Sequence, residues 1–82
     1  MDYEALRRIR NEQNSFGNLV GVRIEEIREG YARAVLDVRA DLSNPIGSLH
    51  GGVLFTIADI TGGSAAVSHG EQVTTVDADI RY

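Results

Sequence analysis

His50-Gly51-Gly52, continuing through Val53-Leu54-Phe55-Thr56-Ile57-Ala58 to Asp59 and on through Ile60-Thr61-Gly62-Gly63-Ser64-Ala65-Ala66-Val67, is the stretch that decides how this chain folds. It is a long apolar run, and it predicts a helix over residues 51–68, with Gly70 as its C-terminal stop and His69 near the negative end of its dipole. Asp59 is the only charged group between Gly51 and Val67. A carboxylate in mid-helix among apolar residues is costly to bury unless it is paired or put to use, so it points to a site.

Working outward, residues 1–14 set Leu6, Ile9 and Arg10 at helical spacing on a charged background, which predicts a short amphipathic helix over Tyr3 to Gln13. Asn14-Ser15-Phe16-Gly17-Asn18 ends it. Over residues 19–40 the period becomes two. Val20, Val22 and Ile24 alternate with Gly21, Arg23 and Glu25, Gly30 marks a turn, and Ala32, Ala34, Leu36 and Val38 alternate in the next run. Two antiparallel strands follow from that pattern. Asp41 to Leu49 is a loop, in which Pro45 biases Asn44 toward extended backbone. Alternation returns over residues 72–82, with Val76, Ala78, Ile80 and Tyr82 on one face, and predicts a third strand.

A helix apolar around most of its circumference needs cover on most sides, and a typical sheet has about four to six strands rather than three. Either the chain stops before its domain is complete, or another subunit supplies the cover. Composition excludes other classes. The 82 residues make one small domain, and cysteine is absent, which removes disulfides, thiolate nucleophiles and zinc-thiolate clusters. Lysine is absent too, which removes Schiff bases and the phosphate-loop lysine. The net charge of −4 and the lack of a basic block argue against a nucleic-acid partner. Thr56, Asp59, Thr61 and Ser64 interrupt the apolar run, which is short for a membrane span. The N-terminal residues lack the apolar core of a secretory signal, so the expected location is cytoplasmic, with no membrane partner.

The start of a helix presents backbone N–H groups and partial positive charge, suited to an oxygen on which negative charge develops. Gly51 and Gly52 leave room for a substrate there; a tight loop-to-helix turn would need the same pair. Phe55, Gly62, Gly63 and Ala66 are the helical neighbours of Asp59, and desolvation in such a setting strengthens a carboxylate as base or nucleophile. Thr56 or an arginine from elsewhere would equally satisfy it. Gly62 and Gly63 cost roughly 1 kcal/mol each in a helix interior, which implies that something approaches the backbone there. Gly51 and Asp59 lie roughly 12 Å apart along one helix axis, at about 1.5 Å per residue. If both serve one carbonyl group, the carboxylate comes from a second copy of the helix, antiparallel across a two-fold axis. Asn44 is a candidate for holding water or a carbonyl, or simply a turn former. Thr75 is placed to bond Asp59 or a water, or to serve strand propensity. His50 orients the loop.

With Asn44, His50-Gly51-Gly52, Asp59, Gly62-Gly63-Ser64-Ala65-Ala66 and the run Thr74 to Tyr82, the chain resembles the hotdog-fold acyl-CoA thioesterases of the phenylacetate-degradation (PaaI-like) type from about Asn18 onward. The resemblance implies an α+β hotdog fold, in which a long central helix is wrapped by an antiparallel sheet. It implies homodimers that pair into homotetramers, and hydrolysis of a small or aromatic acyl-CoA with no cofactor and no metal. Carried over by position, Gly51 donates to the thioester oxygen, and Asp59 of the other subunit attacks or activates water. Asn44 orients the reacting groups, Thr75 takes the place of a water-positioning hydroxyl, and His50 supports the loop. Gly52 and Phe55 are the expected substrate-binding positions. Family members continue past the strand ending at Tyr82, so a C-terminally incomplete domain is expected. The competing expectation is a hotdog module that binds acyl-CoA, or only assembles, without catalysis.

Overall fold

The computed structural model describes residues 1–72 and 75–81. Helix α1, Tyr3–Gln13, starts where the Asp2 carboxylate accepts the Ala5 N–H at 3.0 Å and stops at Asn14. Asn14 does more than end it. Its Oδ1 accepts the Gly17 N–H at 2.9 Å, capping a second helix, α2 (Ser15–Val20), which the sequence reading had placed in a turn and a strand. A Cβ on Gly17 would lie 2.9 Å from Asn14 Cγ and 3.1 Å from Ile60 Cδ1, so glycine allows this close approach. Gly21, at φ +98°, closes α2 and turns the chain into the sheet.

Strands β1 (Val22–Arg28) and β2 (Tyr31–Leu36) pair antiparallel, joined through Glu29-Gly30 with Gly30 at φ +69°. A bulge between Ile24 and Glu26 resets the inward alternation of β1, so that Ile27 is buried where strict period two would have put Glu26 inside. At the bulge, the Asn11 side chain of α1 behaves like another peptide unit. Its Oδ1 accepts from Ile24 N at 2.8 Å and its Nδ2 donates to Ile24 O at 2.9 Å. That closes the outer edge of β1, which would otherwise be an unpaired ladder. β2 ends at Leu36, two residues before Val38, which is 71% exposed.

After a short 3₁₀ turn (Ala40–Leu42) and a loop, helix α3 runs over Gly51–Val67. Val53, Ile57, Ile60 and Ser64 recur at helical spacing on the face that meets the sheet. Val20, Val22, Ile24, Ile27 and Ile60 form the buried core, with Leu6, Ala32, Ala34 and Leu36 packed against it. Each buried aliphatic side chain contributes roughly 1.5–3 kcal/mol. The opposite face of α3, with Phe55, Asp59, Gly62 and Ala66, is exposed. The protein therefore covers half of this helix. Ser68, 2% exposed, ties its end to the hairpin by accepting the Gly30 N–H at 2.7 Å.

Residues 75–81 form no strand, and Val76 is 95% exposed. Alternation specifies which side chains share a face, but a strand needs a ladder partner, and among the described residues β2 pairs with β1 alone. The remainder of the expected strand, Val73, Thr74 and Tyr82, lies outside the described residues.

Candidate active site

The loop entering α3 is fixed by its own polar groups. Asn44 Oδ1 accepts the N–H groups of Ile46 and Ser48, each at 3.1 Å, and Asn44 Nδ2 donates to Ser48 Oγ at 2.9 Å. Asn44 thus forms the turn, with both ends of its amide engaged within the loop. Ser43 and Leu49 bridge across it, and His50 N donates to Leu42 O at 2.8 Å.

His50 is the N-cap of α3. Its Nδ1 accepts the Gly52 N–H at 2.9 Å, so in the neutral ring the hydrogen sits on Nε2. A Cβ on Gly52 would come within 3.2 Å of that Nδ1, which is why the second glycine suits a histidine cap. The Gly52 amide thus serves the helix start, while Gly51 is the first helical residue beside it. His50→Ala is expected to lower stability by about 1 kcal/mol and His50→Asn to restore most of it, as read from denaturant midpoints.

Asp59 lies two turns further on and on the open face of α3. It is exposed rather than enclosed by apolar neighbours; residues 75–80 reach the outer face but leave it open. Its Oδ1 accepts a hydrogen bond from Thr75 Oγ1 at 2.5 Å. The alternative partner Thr56 instead donates back to Gly52 O at 2.8 Å. Asp59, Thr75 and Phe55 line an open cleft of about 790 Å³, floored by Gly62 and Gly63 and walled by Arg10, Asn14 and Phe16. A Cβ on Gly62 would meet nothing within 4 Å among the described residues. Gly51 and His50 do not line this cleft. The structure therefore brings Asp59, Thr75 and Phe55 together, and leaves Asn44, His50, Gly51 and Gly52 as a separate group at the tip of α3.

Sequence reasoning passed over Arg10. Its Nε donates to Ser64 Oγ at 2.8 Å, and Ser64, fully buried, donates in turn to Ile60 O at 2.8 Å. Burial holds the Arg10 pKa below the ordinary arginine value, although the group stays cationic. The one local signal was its place: Arg10 follows Leu6 by four residues, on the face of α1 that turns inward. Among the described residues, no group of three or more acidic or histidine side chains is gathered that could hold a metal ion, and no helix is long and apolar enough to cross a membrane.

A long helix laid on an antiparallel sheet, with a cleft on the helix's free side, is a hotdog-like α+β arrangement. The same arrangement is found in a solved conserved protein of Pseudomonas aeruginosa, to which the chain is similar with a TM-score of 0.85 and 33% identity over 92% of this chain and 62% of that one. Residues 4–81 match the family described as "Domain of unknown function (DUF4442)", and the chain belongs to it. It is also 34% identical over 64 residues to an Archaeoglobus fulgidus protein named "Putative esterase". That match takes in 78% of this chain and 42% of the relative, so the chain spans less than half the length of this curated relative.

Proposed function

We propose that this chain carries part of a hotdog thioesterase of the PaaI-like type, hydrolysing a small or aromatic acyl-CoA to the free acid and CoA. The observation that carries the reading is Asp59, a carboxylate on the uncovered face of α3, bonded to the Thr75 hydroxyl and opening on a cleft of about 790 Å³. The esterase name of the archaeal relative supports ester or thioester hydrolysis as the reaction class.

The thioester carbonyl is polarised by the Gly51 N–H at the positive tip of α3. Asp59 either takes a proton from the attacking water or attacks the carbonyl carbon itself, with water then hydrolysing the acyl-enzyme. The C–S bond breaks, CoA leaves as the thiol and one water is consumed. Gly51 and Asp59 of one helix are roughly 12 Å apart along the axis, so the two groups that meet one carbonyl come from two protomers. A second protomer laid against the open face of α3 would also exclude water from Asp59, which this chain alone leaves exposed. A homodimer is the assembly this requires, and the family resemblance adds its pairing into a homotetramer.

The test is thiol release from a panel of acyl-CoA esters by the full-length protein. Turnover of at least one small or aromatic acyl-CoA is expected. Saturable acyl-CoA binding with no thiol released by the assembled protein would replace this reading with that of a non-catalytic binding module.

A further inference from the structure

The lining of the Asp59 cleft includes a cation, Arg10, and no ion pair among the described residues neutralises it. Arg10 Nε is fixed by Ser64 Oγ at 2.8 Å, while its two terminal nitrogens make no hydrogen bond and no ion pair among the described residues. The pairs of Arg23 with Asp37 and of Arg39 with Asp41 lie on the outer surface between exposed groups. Arg10 differs from them in being partly desolvated, which makes an unpaired cation costly to hold in place. Ser64 also holds it in one orientation. Its hydroxyl proton goes to Ile60 O, so the oxygen lone pairs face Arg10 and the guanidinium plane is set before any ligand arrives. Arg10 Nη2 lies beside Gly63, where a Cβ would stand 3.5 Å from it in ordinary van der Waals contact.

We infer that Arg10 is a specificity-determining residue that binds a carboxylate at the far end of the acyl group. A planar fork with two terminal donors matches a carboxylate in bidentate fashion. Distance sets the ligand's length. Ser64, the anchor of Arg10, lies five residues beyond Asp59 on α3, roughly 7.5 Å along the axis at about 1.5 Å per residue. Ser64 and Asp59 also lie on different faces of α3, so the axial rise is a minimum, and an acyl chain reacting beside Asp59 and reaching Arg10 bears its second carboxylate at least about five bonds from the thioester carbonyl, at about 1.5 Å per C–C bond less the zigzag. Phe16 and Phe55 line the space between with apolar surface suited to the intervening carbons or a ring. Asp59 and Asp77 also line the cleft and disfavour a carboxylate bound close to them, which leaves the Arg10 end as the place for one. The substrate class is then a monothioester of a dicarboxylic acid. This inference rests on the thioesterase reading for the reaction, though not for the binding.

Two measurements test it on the full-length protein. The first compares kcat/KM for a six-carbon dicarboxylic monothioester of CoA with that for the hexanoyl ester. The native protein should prefer the former, and Arg10→Gln should reduce the preference by about 10- to 100-fold, the loss typical of a hydrogen-bonded charge pair. Arg10→Lys, which keeps charge but loses the fork, should fall between. The second measurement is calorimetric binding of free adipate against hexanoamide, with thermal melting to check that each variant is folded. Adipate binding that Arg10→Gln abolishes upholds the inference, even if no thioester is hydrolysed and the catalytic reading fails. An unchanged preference in folded Arg10→Gln, or equal binding of adipate by that variant, overturns it and leaves Arg10 as a tie between α1 and α3.

Discussion

Asp59→Asn should lower kcat for thioester hydrolysis by about 10²- to 10⁴-fold and leave the melting transition within about 0.5 kcal/mol of the native protein. The two halves of that expectation follow from different facts. Asparagine has the same shape, and its side-chain oxygen still accepts the Thr75 hydroxyl that now meets Asp59 Oδ1 at 2.5 Å. Asp59 is exposed and makes no ion pair among the described residues, so folding loses little when its charge is removed. Chemistry loses much more, because an amide neither takes a proton from water at neutral pH nor attacks a carbonyl carbon. Steady-state thiol release alongside a denaturant melt reads both quantities. A kcat within a few-fold of native would show that Asp59 is a surface carboxylate and would withdraw the mechanism.

Features written in local spacing were legible in the sequence, and features that depend on a distant partner were not. The span of α3 follows from a long, mostly apolar run, bounded by His50 before it and Gly70 after it. The hairpin follows from period two around Gly30. The bulge at Ile24 does not follow, since it depends on Asn11, thirteen residues away, supplying both halves of a peptide-like pair. Helix α2 was hidden because Asn14 reads equally well as the end of one helix and the cap of the next, and because Leu19 and Val20 look like the first beat of a strand. At the site, the Asp59–Thr75 contact was one of two partners the sequence left open for Thr75. Asn44 was ambiguous because an asparagine before proline suits a turn as well as a substrate, and its part in the turn is seen only from the Ser48 and Ile46 contacts. Arg10 was overlooked because a lone arginine on a charged helix carries no motif. Its meaning comes from Ser64, on another element and 54 residues along the chain.

The same physical reasoning gives the sharpest test of a shared site. Gly51→Pro removes one amide hydrogen with little disturbance to the helix, since proline is favoured at the first helical position. His50 already has φ −63° and ψ 137°, the extended conformation that a following proline requires. The loss expected in kcat is about 10²- to 10³-fold, that of a single oxyanion donor. Gly51→Pro and Asp59→Asn homodimers should each be nearly inactive. If each site draws Gly51 from one protomer and Asp59 from its mate, a mixed dimer has one site with both defects and one with neither. Unfolding and refolding the two variants together in equal amounts pairs them at random, so half the dimers are mixed and half of their sites are intact. About one quarter of native activity should return. Were both groups to serve a site within one protomer, every site in a mixed dimer would carry one defect and mixing would restore nothing. A recovered quarter therefore fixes the two-fold arrangement of α3, and no recovery from a refolded mixture shown to contain mixed dimers would exclude it.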